Sequence, residues 1–213
     1  MTFGLVKHNN NSISAITSAG QLAQGKMTLI KEQTASSSST VSFVDGSGGV
    51  VLDNTYPIYK FEFINVHPST YSRFVFQADV NGGSSYNQTI TSTKFNAYNQ
   101  EHSGTNSGLE YQAGGDQAQG TDFHRLTNTI GYGAGYADND QAVSGHLTVF
   151  NPSSTTFVKH FIATTSQFDA FFCYSIYSAG YFNTTSALDR FQFKFSSGTM
   201  DSGSIKLYGI KDS

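Results

Sequence analysis

Short blocks in which apolar and polar residues alternate recur along most of the chain. "YKFEFINV" puts Tyr59, Phe61 and Phe63 on one face and Lys60 and Glu62 on the other. "RFVFQADV" gathers Phe74, Phe76, Ala78 and Val80, with Gln77 and Asp79 opposite. "RFQFKF" alternates without a slip, Phe191, Phe193 and Phe195 against Arg190, Gln192 and Lys194. A period of two is the signature of a strand with one buried face. The blocks "MTLIKEQ", "STVSFV" and "SIKLYGIK" read the same way. Between them stand "TASSSS", "DGSGG", "NGGSS" and "SSGTMDSG", segments of turn formers. Strands at hairpin spacing with short turns predict an all-β fold, an antiparallel β-sandwich or jelly roll.

Two regions depart from this rhythm. Asn9 to Gln24 reads as a short helix over Ile13 and Ile16, capped by Asn11 or Ser12, or as an extended polar arm. Gly20 and the small polar residues favour the arm. The expected organisation is an arm over 1–25 and a sandwich domain over 26–213, with a long polar insertion at about 96–141. That insertion is rich in Gly, Asn, Gln and Tyr, and "FHRLTNTI" is its one strand-like block. A long irregular stretch in a compact domain is often an interaction surface. Its tyrosines, Tyr98, Tyr111, Tyr132 and Tyr136, are the candidate residues for a subunit interface or a glycan-binding surface.

Two x-Pro-Ser segments echo each other, "NVHPSTYSRFVF" and "VFNPSSTTFVKHF". Proline suits the second position of a turn, and the following Ser or Thr can bond back to the turn backbone. Both are read as hairpins. The first would carry Glu62 near Phe76 and Asp79 near Tyr59, leaving the two carboxylates roughly 10 Å apart along the strands and solvating outer faces. Paired carboxylates for glycoside hydrolysis need about 5–9.5 Å, so this pair is not read as catalytic. The second would set His146 opposite His160, with Leu147 and Val149 on the face of Phe157 and Phe161.

Composition changes the picture in one respect. Of 213 residues only 13% are charged, and the net charge is −3. Ordinary soluble domains carry about 25% charged residues. The surface must instead be built from Ser, Thr, Asn, Gln and Gly, a composition suited to a protein held in an assembly. With no basic patch, nucleic acid is not an expected partner. No run approaches the ~18 apolar residues of a membrane span, and Met1–Asn11 lacks the apolar stretch of a secretory signal. The single cysteine, Cys173, cannot form an intrachain disulfide; its neighbours in "FFCYSIY" place it in the core.

Candidate chemistry is sparse. The histidines His8, His67, His102, His124, His146 and His160 show no metal-ligand spacing. Asp138, Asn139 and Asp140 offer oxygen ligands of the kind calcium takes, without an EF-hand pattern around them, and read as an Asx turn. Asn10, Asn87 and Asn183 sit in N-x-S/T sequons that read as chance matches. No nucleophile elbow and no phosphate-cradling loop appear. No catalytic residue, cofactor or metal is expected.

The blocks "ISAITSAGQLAQGKMTLIKEQTASSSSTVSF", "YKFEFINVHPST", "LTVFNPSSTTFVKHF" and "SGSIKLYGIK" resemble a recurrent group of tailed-phage virion proteins, common in phages of marine and aquatic bacteria. The resemblance runs from Ile13 to Lys211. It implies a jelly-roll β-sandwich on the particle surface, as a capsid decoration or knob or as a fibre or tail component, with other virion proteins as partners. A homo-oligomer, a trimer by analogy, is implied with it. A tail-fibre module recognising a host surface glycan is the alternative. No catalytic residue is implied by the resemblance.

Overall fold

The computed structural model describes residues 27–102, 106–131 and 140–211. The expected arm over 1–25 lies outside them. Among the described residues the chain forms thirteen strands: β1 (Met27–Thr34), β2 (Val41–Val44), β3 (Ile58–Pro68), β4 (Phe74–Val80), β5 (Ile90–Gln100), β6 (Ser107–Tyr111), β7 (Ala118–Gly120), β8 (His124–Arg125), β9 (Val143–Phe150), β10 (Lys159–Phe168), β11 (Phe172–Phe182), β12 (Leu188–Phe195) and β13 (Met200–Ile210). A 3₁₀ turn spans Ala113–Gly115.

The strands form two antiparallel sheets. The small one runs β2-β12-β4-β8 and the large one β1-β13-β3-β9-β10-β11-β5-β6, with β7 also on β5. The first four strands alternate between sheets, as do β11, β12 and β13. The quartet β1-β13-β3-β9 thus faces β2-β12-β4-β8, which is jelly-roll topology. Two insertions, β5 to β7 and β10 to β11, extend only the large sheet.

The interface between the quartets is aromatic. Phe193 of β12 lies 5.0 Å from Phe61, 5.3 Å from Phe63, 6.0 Å from Phe74 and 6.2 Å from both Phe43 and Phe76, measured between ring centres. All six are buried. The predicted inward faces of β3 and β12 hold, and Lys60 and Glu62 form an outward ion pair at 2.8 Å.

The period of two breaks once in β3. The register against both β9 and β13 shifts near Ile64 and Asn65, and both residues are exposed. Asn65 adopts a left-handed φ of 47°, with its N–H on Ser144 Oγ at 3.0 Å. Beyond this bulge Val66, His67 and Pro68 are buried. The bulge bends the strand toward the other sheet.

That bend overturns the first hairpin. β3 belongs to the large sheet and β4 to the small one, so "HPST" begins a crossing between layers. Its serines bond to the neighbouring crossing instead of to their own turn. Ser69 Oγ accepts from Thr199 N at 2.9 Å, and Ser72 Oγ accepts from Ser197 N at 2.9 Å. The "NPSS" segment is a true hairpin between β9 and β10, where Ser154 Oγ accepts from Thr156 N and Phe157 N. One motif thus serves two geometries.

Other expectations are corrected with it. Glu62 pairs with His146 and Lys206 in the large sheet, and Asp79 pairs with Arg190 in the small one. Asp79 and Gln77 are buried instead of solvated. Asp79 accepts from Val80 N, Ser85 N, Tyr86 N and Gln88 Nε2, tying down the loop after β4. Burial alone would raise its pKa, but these four bonds outweigh burial and hold it below the ordinary value. His146 faces Thr164, while His160 faces Tyr181 of β11, so the two histidines do not pair. Leu147, Val149 and Phe161 are buried as expected, but Phe157 is 70% exposed in the hairpin loop. Cys173 is exposed, because β11 turns its odd-numbered side chains outward at that point. The middle of the chain is also more ordered than its composition suggests, since β6, β7 and β8 fall within it.

Phe193→Ala should cost about 3–5 kcal/mol, the usual range for deleting a buried phenylalanine ring. Urea denaturation checks this; a loss under 1 kcal/mol would show that the six-ring cluster does not hold the sheets together.

A cationic cavity at the edge of the small sheet

Part of the inner face of β5 and β10 is covered by chain around Leu126, Thr127 and Thr129 instead of by the small sheet. Inward side chains of β5 and β10 grip its backbone. Lys94 Nζ donates to Thr127 O at 2.9 Å, Thr165 Oγ1 to Leu126 O at 2.7 Å and Gln167 Nε2 to Thr129 O at 3.2 Å. From β4, Gln77 Nε2 reaches Gln88 O, Thr121 O and Asp122 O at 3.0–3.1 Å. Irregular backbone can be buried only where its polar groups find partners. That requirement explains the polar inner face here.

His124 marks the boundary between the aromatic core and this polar region. It packs against Phe76 and Phe161 at 5.7 and 5.3 Å. Ser92 Oγ accepts from Gln117 N and lies 3.2 Å from His124 Nδ1. His124 Nε2 is buried without a hydrogen-bond partner among the described residues. Burial, helped by Lys94 and Arg125, pushes the His124 pKa down to about 3, so the ring is neutral.

On the outer face of the small sheet Lys194 of β12 and Arg125 of β8 flank Val75 of β4 in register. Arg73 stands two residues before Val75. With Phe123 and the chain from Gly114 to Gln117 they line a cavity of about 360 Å³. Arg125 Nη1 donates to Gly114 O at 2.6 Å, fixing one wall. Lys194 Nζ sits 4.0 Å above the Phe123 ring. Asp116 and Asp122 complete the lining. Among the described residues, none of the three cations has a carboxylate in ion-pair range. An adjoining cavity of about 180 Å³ shares Arg73, Gly114, Gly115 and Arg125 and is lined at its base by Lys94. Lys94 is 2% exposed. Burial first, then Arg125 and Arg73, push its pKa down to about 7.

The two candidate tyrosines among the described residues, Tyr98 and Tyr111, do not converge. Tyr98 is half-buried in a ring cluster with Phe172 and Tyr174 at 5.7 and 6.0 Å. Tyr111 is 62% exposed on the edge strand β6, opposite Phe95, and its hydroxyl donates to Asp116 Oδ2 at the cavity wall. Tyr132 and Tyr136 lie outside the described residues, as do Asp138 and Asn139 of the oxygen-rich loop; Asp140 is exposed. Among the described residues no group of three or more His, Cys, Asp or Glu could hold a metal ion. The cavity cations escaped the sequence reading because they come from β8, β12 and the residue just before β4, three places distant in sequence. The only signal available was the outward parity of Lys194 in β12.

No family model, curated protein or solved structure matches this chain.

Lys94 gives the fold a pH dependence. In the unfolded chain its pKa returns to about 10.4. Between pH 7 and pH 10 the unfolded state therefore binds more protons, and stability rises with pH through that window. Below pH 7 the cost of burying the charge is fully present. Urea unfolding at pH 7 and pH 9 should show this rise in the wild type and a flatter profile in Lys94→Met; equal slopes would refute the assignment.

Proposed function

We propose that this protein is a structural component of a phage virion, exposed on the particle surface as a capsid decoration, knob or fibre part, and that it acts by assembly. The observation that carries this reading is the outer face of the large sheet. Its strands present rows of Ser and Thr interrupted by apolar side chains at one end. Phe95 stacks on Tyr177 at 5.2 Å and 12°, and Tyr111, Leu109 and Ile162 stand beside them, all at least 41% exposed. Exposed aromatic side chains clustered at one end of a sheet face, apart from the Lys60–Glu62 and Lys206–Glu32 ion pairs at the other, are the composition of a subunit interface. Jelly-roll sandwiches are a recurring capsid architecture, which supports the reading by analogy. The partners are other virion proteins and further copies of this chain, with a trimer as the working assembly. The polar segment over 1–25 is the proposed docking arm.

A second reading is favoured by the cavity of Arg73, Arg125 and Lys194: a receptor-binding module that grips a host surface glycan. The two readings separate by copy number in purified particles. A decoration protein is present in hundreds of copies, on the order of the capsid subunits it covers, and a tail module in few.

Two outcomes are expected. Deleting 1–25 should leave a domain with native circular dichroism that is absent from purified particles; normal incorporation would refute the docking role. Phe95→Glu places a carboxylate on the apolar band, and light scattering should then report a smaller species than the wild type. An unchanged mass would remove this face from the assembly.

A further inference from the structure

We propose that the cavity between β4, β8 and β12 is a binding site for an acidic sugar unit, a carboxylate- or sulfate-bearing residue of a polysaccharide. This inference rests on the glycan reading above and assigns it a place and a chemical class.

The argument begins with a cost. Lys194 and Arg125 occupy one cross-strand row on either side of Val75, with Arg73 on the same strand face as Val75. Like charges gathered on one face of a sheet repel. The chain has only 12 Lys and Arg, and three of them gather around one cavity; Arg125 braces Gly114 O and Lys194 rests over the Phe123 ring, but neither contact neutralises a charge. Among the described residues no ion pair offsets the repulsion, whereas Lys60, Arg190 and Lys206 each have a carboxylate partner. Burial first, then Arg125 and Arg73, disfavour the charge on Lys94 below, against an opposing pull from Asp116. An oxyanion in the cavity would offset the repulsion among the three cations. Guanidinium groups bind planar and tetrahedral oxyanions through paired donors.

The rest of the lining selects the scaffold that carries the anion. At about 360 Å³ the cavity is at the small end of ligand pockets, which run from ~300 to 1,000 Å³. It is a discrete hollow and not a track. Asp116 and Asp122 at its wall would repel the successive phosphates of a nucleic acid, and they can accept hydrogen bonds from sugar hydroxyls. The Gln117 amide adds a neutral polar group, and Phe123 an aromatic ring. One anionic group surrounded by hydroxyls fits this set; a bare polyanion does not.

Calorimetric titration of the full-length protein tests the proposal. The probes are oligogalacturonate, its methyl ester with the same rings and no charge, a sulfated oligosaccharide and inorganic sulfate alone. The acidic or the sulfated oligosaccharide should bind, weaken with added salt, and lose about tenfold in affinity in Arg73→Gln and again in Lys194→Gln. Lys206→Gln, which removes an equal charge from the opposite sheet, should change nothing. The carboxylate and sulfate arms identify the anion. Lys194→Gln lies on an outward strand position and keeps the test valid should Arg73→Gln fail to fold. Equal binding of the acid and its ester, or wild-type affinity in Lys194→Gln, overturns the site. So does inorganic sulfate binding as tightly as either oligosaccharide, the mark of an adventitious ion only. Binding of the ester that survives both substitutions leaves the glycan reading standing with its site elsewhere. No binding of any oligosaccharide removes both.

Discussion

Phe193 meets five other rings drawn from both sheets, and that cluster fills the space between the jelly-roll quartets. The cluster sets where the small sheet sits, and its four strands reach across less than half of the larger one. Phe161 of β10 and Phe182 of β11 still reach Phe76 of the small sheet, but further along these strands and on β5 the inner face lies against irregular backbone that includes Leu126, Thr127 and Thr129. Buried irregular backbone requires donors and acceptors, so Lys94, Thr165 and Gln167 replace the aliphatic residues expected there. The aromatic half of the core thus dictates the polar half. His124 stands at the junction, held neutral between Phe76, Phe161 and Ser92.

The strands that carry this cluster were legible from alternation alone. β3, β4 and β12 each present aromatic residues at every second position, and nothing local competes with that signal. What alternation cannot convey is the sheet to which a strand belongs. A hairpin and a layer crossing both read as strand, Pro-Ser, strand. The difference between "HPST" and "NPSS" lies in the bulge at Ile64 and Asn65, and a bulge is decided by partners distant in sequence. The same limit hid Gln77 and Asp79. Parity puts them outward, but the outer face of β4 is roofed by loops, so outward does not mean solvated. Cys173 fails in the reverse sense: its neighbours are apolar, yet its own position faces out.

The middle of the chain was the least legible. Its Gly, Asn and Gln content hides β6 and β7, whose side chains are mostly exposed and need no hydrophobic pattern. Tyr111 was singled out for its residue type, and its hydroxyl does reach the cavity wall at Asp116. The cavity itself could not be read from the sequence. Arg73, Arg125 and Lys194 are separated by most of the chain, and only the pairing of β4 with both β8 and β12 sets Arg125 and Lys194 on one row beside Val75, two residues from Arg73.

That placement bears on how the two proposed activities relate. The apolar band lies on the outer face of the large sheet, and the cationic cavity on the outer face of the small one. The two meet at one point, where Tyr111 of the band donates its hydroxyl to Asp116 in the cavity lining. An occupant of the cavity and a partner on the band would therefore be neighbours. Three cations against two carboxylates, Asp116 and Asp122, leave the lining net positive. The scarcity of charge that marks the whole sequence is what allows one small cluster to act as a distinct site.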